Sequence, residues 1–356
     1  METGYDILFF WVARMILMTE YLLDDKPFET VYLHGMIRDK EGKKMSKSLG
    51  NGIDPIDMIN KFGTDALRLS LVIGSSPGAD LNLYEEKIAG YRNFVNKLWN
   101  ISRFIFTNID KIERVKTRPK PKTLADKWIL AEFDNLVTTT TQDLDNYKFS
   151  QAGEKLYEFT WAKLADWYLE IAKLEKGKEK ILLYILERLL ILWHPFTPFI
   201  TEVIWEEFDS KNLLLVDKWP VANKPDNKAI KDFTELQNLV TKIRNLKADN
   251  KIPPKDLPDC KLESKLFSKQ ELENISKLCR VNLVNDLAKA KKFVINQTNG
   301  WINLAKAMNP KQIADLEKYI KSLEAKLANK KFIKNAPPQV IEQNKQNLIE
   351  AKKKLD

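Results

Sequence analysis

Gly42-Lys43-Lys44-Met45-Ser46-Lys47-Ser48-Leu49-Gly50-Asn51 sets two lysines three residues apart, with serines between and after them, directly behind the apolar run at residues 31–37. Ammonium groups on flexible stems act as movable point charges, and at this spacing they can surround a polyphosphate. A solvated basic turn is the ordinary fate of a lysine- and serine-rich loop, but the flanking sequence argues for a built site. Residues 31–37 read as a strand. Asp54-Pro55 reads as an N-cap with proline at the first helical position, and Gly63 as the stop. Thr64-Asp65 opens a second helix over residues 66–73, closed by Gly74. A strand, a loop and two capped helices make this part α/β. The chain contains no G-x-x-x-x-G-K-[ST] and no G-x-G-x-x-G, which excludes a P-loop and a dinucleotide-binding turn.

The 356 residues suffice for two or three domains. With 58 lysines and arginines against 49 acids, the net charge is +9, which suits a polyanionic partner without choosing RNA over a membrane. Cys260 and Cys279 lack C-x-x-C spacing and read as reduced, partly buried thiols, neither a zinc site nor a disulfide framework. Residues 1–4 carry no basic n-region of a signal peptide. The longest apolar run, 181–193, is short and interrupted by Glu187-Arg188, so no membrane span is expected.

Four parts follow one another, and the fold class is mainly α with an α/β N-terminal part. Residues 1–80 hold the loop. Residues 81–224 repeat apolar side chains at helical spacing in long segments divided at 117–122, 176–178 and 193–198, which is a helical bundle. Trp161, Trp167, Trp193 and Trp205 sit at core spacing within it and read as packing. Residues 225–304 mix one helix (233–250), a break at Pro253-Pro254 and short runs such as 291–297. In residues 305–356, Ile313, Leu316, Ile320, Leu323 and Leu327 form an a/d seam with Lys and Glu outside it. After Pro337-Pro338 the stripe resumes at Ile341, Leu348, Ala351 and Leu355. Two such helices make an antiparallel coiled coil. A helix pair packed on the bundle is the alternative, but the narrow seam and lysine-rich remaining faces favour a projecting arm.

The helix around Trp99 has two readable faces. Phe94, Leu98, Ile101 and Ile105 form a buried stripe. Asn93, Asn96, Lys97, Asn100, Arg103 and Phe104 share another face, where amides, cations and one exposed aromatic suit hydrogen bonding and stacking with unpaired bases. An ordinary solvated helix side is the competing reading.

Several strings together resemble the valyl-tRNA synthetases, a family of class I aminoacyl-tRNA synthetases. They are Glu2-Thr3-Gly4-Tyr5-Asp6 through Trp11-Val12-Ala13-Arg14-Met15, the KMSKS loop, and Gly63-Thr64-Asp65-Ala66-Leu67-Arg68. Arg92-Asn93-Phe94-Val95-Asn96-Lys97-Leu98-Trp99-Asn100 and Leu192-Trp193-His194-Pro195-Phe196-Thr197-Pro198-Phe199 complete the set. The likeness weakens between about 224 and 309. Only His34 and His194 occur, so the first class I signature, H-x-G-H, is absent, as is the family's large editing insertion. The likeness is therefore to the C-terminal portion: part of a Rossmann-type catalytic domain (1–80), an anticodon-binding bundle (81–224), a mixed linker region (225–304) and a coiled-coil tRNA-binding arm (305–356).

The resemblance implies ATP-dependent ligation of valine to tRNA(Val) through valyl-adenylate, with this chain inactive alone. It implies Lys44 and Lys47 as catalytic residues, and Lys44, Met45, Ser46, Lys47, Ser48 and Gly35 at ATP. Gly4, Asp6 and Trp11 would lie at valine and the adenylate, and Asn96, Lys97, Arg103 and Phe104 at tRNA. ATP would arrive with Mg2+ as a substrate complex, with no protein-bound metal, in a cytoplasmic monomer. The alternatives are a non-catalytic tRNA-binding protein built from the same domains and an isoleucine-type sister enzyme, the latter disfavoured by the arm.

Overall fold

Two strand pairs frame the start of the chain. β1 (Glu2–Gly4) runs parallel to β2 (Tyr32–His34), with Gly4 opposite His34. β3 (Ile37–Arg38) runs parallel to β4 (Leu81–Asn82). The computed structural model describes residues 1–46, 48–209, 211–253, 255–287, 290–304, 310–329 and 336–355. They divide into two units, Met1–Gln237 and Asn238–Asp356.

The single strand expected over residues 31–37 is thus two, and Gly35 is the physical reason. Its backbone passes so close to Ala79 that a Cβ would stand 1.7 Å from the Ala79 carbonyl oxygen. The approach interrupts the ladder and lets the chain change neighbours, a use of glycine inside a strand. β1 had no visible signal, because three residues are too few to reveal alternation. After β1 come a 3-10 turn (Tyr5–Ile7), a wide π-type turn (Leu8–Val12) and α1 (Ala13–Leu23); only Val12 of this stretch is buried.

The helices behind the loop form as their caps direct. Asp54 Oδ1 accepts from Ile56 N at 2.8 Å, Pro55 opens α2 (Pro55–Phe62), and Gly63, at φ +89°, ends it. α3 (Thr64–Val72) follows at once. Met58, Leu67, Leu83 and Ile88 form a small core, and Met45 of the loop packs against it.

α8 (Glu179–Trp193) is buried on nearly every side, the mark of a central helix. α4 (Glu85–Thr107), α5 (Leu124–Asp145), α6 (Phe149–Glu158) and α9 (Pro198–Trp205) pack around it. α6 continues through a π-wound stretch (Phe159–Tyr168) into α7 (Leu169–Ala172). Phe94 lies 4.9 Å from Trp193, ring to ring, and Phe94, Leu98, Ile101 and Ile105 are all buried as expected. Trp193 and Trp205 are core residues too, whereas Trp161 and Trp167 are half-buried.

Charges inside the bundle are paired. Glu187, in the middle of α8, accepts from Arg114 Nε at 2.8 Å and Val115 N at 3.0 Å. Lys178 is buried, with Asp126 Oδ1 at 2.7 Å and Glu175 also in contact. The bundle is tied to the α/β part by Asp65, which accepts from Ile200 N at 2.7 Å, and by Arg68, whose Nη2 donates to Pro195 O at 2.9 Å.

α10 (Asn227–Asp249) begins in the first unit and ends in the second. It starts earlier than the expected residue 233, at a local cap in which Asp226 Oδ1 accepts from Ala229 N at 3.0 Å. In the second unit, β5 (Asp259–Ser264), β6 (Asn282–Leu283), β7 (Lys291–Ile295) and β8 (Thr298–Ile302) form one sheet in the order β6-β5-β8-β7. α11 (Lys269–Cys279) ends beside buried Lys247, whose Nζ donates to the Cys279 and Arg280 carbonyls at 3.1 and 2.7 Å. Cys260 and Cys279 are free and buried. α12 (Pro310–Ala328) and α13 (Pro338–Leu355) pack together, with Ile320, Leu323 and Ala351 buried and Lys352 Nζ 2.7 Å from Glu324 Oε1. The side chains of Ile313 and Leu355, and the whole of Pro254, lie outside the described residues.

Candidate functional site

The carboxyl ends of β1 and β2 lie side by side, the edge of a parallel sheet where ligands gather in open α/β folds. Gly4 ends β1, and a Cβ there would meet Asp6 Oδ1 at 2.8 Å. Across from it, Lys44 Nζ is 3.7 Å from Asp6 Oδ2.

Two side chains shape the loop that carries Lys44. Asp39 Oδ1 accepts from Lys43 N at 2.7 Å, and its Oδ2 accepts from Asn51 Nδ2 at 2.7 Å. Asn51 reaches back into the loop, where its Oδ1 accepts from Ser46 N at 3.0 Å and its Nδ2 donates to Lys44 O at 3.3 Å. Ser46 Oγ accepts from Leu49 N at 3.2 Å and lies 3.1 Å from Ser48 Oγ. The Asn51 amide, first among its partners, holds the Asp39 carboxyl below the usual carboxylate range. Below the loop, Asp80 accepts from Met36 N at 2.7 Å, from Tyr5 Oη at 3.0 Å and from Arg38 Nε. The Met36 N–H and then Arg38 hold its carboxyl low.

Of the residues expected at ATP and the adenylate, Lys44, Met45, Ser46 and Ser48 share this braced loop, with Asp6 near Lys44 and Gly4 beside Asp6. Lys47 lies outside the described residues. Gly35 has a packing task against Ala79. Trp11 is 51% exposed, and among the described residues no hydrogen bond, ion pair or ring contact joins it to this group. Asp39, Asn51 and Asp80 were missed by sequence reasoning; the hydrogen-bonding residue types that bracket the loop were the only local signal.

The second candidate surface lies on α4. Asn96 and Arg103 are exposed. Lys97 is half-buried, with its Nζ 4.8 Å from the Trp161 ring and 3.7 Å from Asp166 Oδ1. Phe104 is also half-buried, a correction to the exposed aromatic expected, because Lys173 at the end of α7 places its Nζ 5.4 Å from the ring. Two of the four residues are therefore met by the π-wound stretch and its continuation. Widening from 3.6 residues per turn changes which side chains share a face, so Trp161, Asp166 and Lys173 left no periodic trace. Such turns are rare and frequent at functional sites. A cavity of about 730 Å³ lies elsewhere in the bundle, lined by Arg114, Arg118, Lys218 and Trp219 among others. Its arginines are already committed, Arg114 to Glu187 and Asp217 and Arg118 to Asp134.

Family profiles match along most of the chain: "tRNA synthetases class I (I, L, M and V)" over residues 1–84, "Anticodon-binding domain of tRNA ligase" over 126–263, and "Valyl tRNA synthetase tRNA binding arm" over 305–356. The valine–tRNA ligase of Petrotoga mobilis is 38% identical over 99% of this chain and 44% of its own length. Those of Thermotoga maritima and Bacillus subtilis are each 36% identical, covering 99% and 97% of this chain and 43% of their own lengths. The chain thus spans less than half the length of these curated relatives. Among solved structures, the LeuRS of Agrobacterium radiobacter K84, in ternary complex with tRNA and LeuAMS, superposes with a TM-score of 0.55 at 24% identity. The match covers 64% of this chain and 29% of that one, a likeness of fold. The chain belongs to the valyl-tRNA synthetase family and corresponds to the C-terminal portion of its members.

Proposed function

We propose that this chain supplies the KMSKS loop, the anticodon-binding bundle and the tRNA-binding arm of an ATP-dependent valine–tRNA ligase. In that reaction the valine carboxylate attacks the α-phosphate of ATP, an O–P bond forms, and pyrophosphate leaves. A terminal ribose hydroxyl of tRNA(Val) then attacks the acyl carbon and AMP leaves. Lys44 and Lys47 stabilise the departing pyrophosphate, where charge develops and preorganised donors act most strongly. Met45, Ser46, Ser48 and Gly35 contribute to ATP binding, and Mg2+ would enter with ATP as a substrate complex. Gly4 and Asp6 border the adenylate and Trp11 the valine side chain. Asn96, Lys97, Arg103 and Phe104 face the anticodon loop. The division at residues 80, 224 and 304, a monomeric state and a cytoplasmic setting belong to the same reading.

The observation that carries it is Lys44 held 3.7 Å from Asp6 at the sheet's carboxyl edge, in a loop braced by Asp39 and Asn51. A second reading, tRNA binding without adenylation, draws on the sequence's two widely separated histidines, His34 and His194, which leave no H-x-G-H. The chain alone is therefore expected to give no valine-dependent ATP–pyrophosphate exchange while still retaining tRNA(Val) on filters. Exchange by the chain alone would overturn the assignment of the missing imidazoles to another segment. Failure to retain tRNA would remove both readings.

A further inference from the structure

The cavity of about 730 Å³ in the bundle is bounded by α8 and by two connecting segments, residues 114–118 and 217–223. Its three arginines are neutralised in place. Arg114 meets Glu187 and Asp217, and Arg118 meets Asp134. Arg188 donates from Nη2 to Val115 O at 3.0 Å, with Glu187 3.4 Å from its Nη1. Three other polar groups are left over. The ammonium groups of Lys116 and Lys218, both exposed, make no ion pair or hydrogen bond among the described residues. Tyr184 is only 4% exposed and lines the cavity, yet its hydroxyl makes no hydrogen bond among the described residues. Buried hydroxyls are normally hydrogen-bonded, so one without a protein partner calls for another explanation, such as a bound group. The Arg188 guanidinium, 3.7 Å from the Tyr184 ring centroid, fixes that ring. Trp219, the other aromatic of the lining, is set by its Nε1, which donates to Thr141 Oγ1 at 2.8 Å. Ile191, Pro220 and Val221 add apolar lining.

We infer that this cavity takes a nucleoside phosphate, with the phosphate between Lys116 and Lys218, the base against Trp219, and a polar atom of the nucleoside hydrogen-bonded to the Tyr184 hydroxyl. The volume lies in the range of small-molecule sites, about 300–1,000 Å³. Two lysines on flexible stems suit the several oxygens of a phosphate, and a single carboxylate would leave one of them without a task. A fixed indole offers a face on which any base stacks. An anion without a ring would leave both Trp219 and the Tyr184 hydroxyl unmet. The chemistry is the same whether the nucleotide is free or is an unpaired residue of an RNA. None of these residues belongs to the KMSKS loop or to the α4 face, so the inference stands apart from the ligase reading.

The test titrates the full chain with AMP, GMP, CMP and UMP in a calorimeter, and with inorganic phosphate for comparison. At least one monophosphate is expected to bind at least about fivefold more tightly than phosphate, the low end for one stacked base. Lys116→Ala with Lys218→Ala is expected to weaken it by at least about tenfold, since hydrogen bonds to charged groups are the strong ones. Tyr184→Phe keeps the buried ring and is expected to weaken it by about fivefold, the worth of one hydrogen bond. Because Lys116 and Lys218 are exposed and phenylalanine preserves the packing, these variants keep their fold, checked by circular dichroism. Excess tRNA(Val) then assigns the source. Loss of nucleotide binding means that the RNA supplies the nucleotide, and unchanged binding means a free one; both support the site. Binding that responds to Lys44→Ala and not to the lysine pair would put the nucleotide at the KMSKS loop. That result, phosphate bound as tightly as every nucleotide, or no binding of any of the four at millimolar concentration would each overturn the inference.

Discussion

Lys44 Nζ stands 3.7 Å from Asp6 Oδ2, with the two side chains 59% and 40% exposed. An ion pair so open to water is worth about 0–1 kcal/mol, so Asp6 steers Lys44 toward the sheet edge without locking it there. A phosphate with more charge and more acceptors takes the lysine easily. In a complete enzyme carrying this segment, Lys44→Ala and Lys47→Ala are each expected to slow adenylate formation by roughly 10²–10³-fold, the scale for one transition-state donor. Valine affinity stays close to wild type. Asp6→Asn has a smaller effect on the same step. Single-turnover kinetics check this, and lost valine affinity with normal turnover would give the lysines a structural role.

Asn51 reads as a brace and not as a reactive group. It links Ser46 N, Lys44 O and Asp39, three points of one loop. Asn51→Ala is expected to raise amide exchange at Ser46 by about fivefold, equivalent to one hydrogen bond of net worth near 1 kcal/mol. The Asp39 carboxyl, held low first by Asn51, moves up toward its ordinary value. An NMR titration of Asp39 and the Ser46 amide reads both, and an unchanged pair would show that the loop keeps its shape without the brace.

The buried Lys178 cluster predicts how the bundle responds to mutation and acid. Lys178→Met removes the buried cation that Asp126 and Glu175 both contact, and breaking one side of a buried pair costs about 3–5 kcal/mol. Burial alone would push the Asp126 carboxyl up, but Lys178, the Lys122 N–H and Tyr168 outweigh it and hold it below the ordinary 3.8. A depressed carboxyl adds stability above its unfolded value and loses it as pH falls through the folded one. The wild type therefore weakens below about pH 4. In the variant Asp126 gains from protonation instead, so the gap between the two narrows in acid. Urea melts from neutral pH to pH 3 measure the gap, and a constant gap would place the energy elsewhere.

What the sequence made legible was what local chemistry writes. The caps at Asp54 and Gly63 depend on neighbours a few residues away, and α2 begins and ends where they direct, while α3 starts at Thr64, directly after Gly63 and two residues before the expected 66. The stripe Phe94, Leu98, Ile101 and Ile105 follows the 3.6 period, and all four are buried. The strings at residues 63–68 and 192–199 were visible separately, but not that Asp65 and Arg68 bind the second. Pairings across long separations leave no such mark, as with Arg114 and Glu187 or Asp126 and Lys178. Gly35 split a strand through contact with Ala79, a residue far along the chain.

RNA binding should separate the two regions proposed to face tRNA. Phosphate contacts by lysine and arginine release counterions, so affinity falls as salt rises for the whole chain. On α4, Phe104 is held against Lys173, and Lys97 against Trp161 and Asp166, so this face is pre-set in register. Phe104→Ala is expected to lower the preference for a valine-type anticodon loop by about 1–3 kcal/mol, the value of one stacked base. Asn96 and Arg103, exposed on the same face, are expected to contribute hydrogen bonds to the splayed bases. Deleting residues 313–356 should instead weaken all tRNAs about equally, since an arm touching the folded body of the RNA reads shape and not sequence. Filter binding of cognate and non-cognate tRNAs at fixed salt distinguishes the two effects. Equal discrimination by wild type and Phe104→Ala would remove α4 from the recognition surface, and a deletion that erased discrimination would move recognition into the arm.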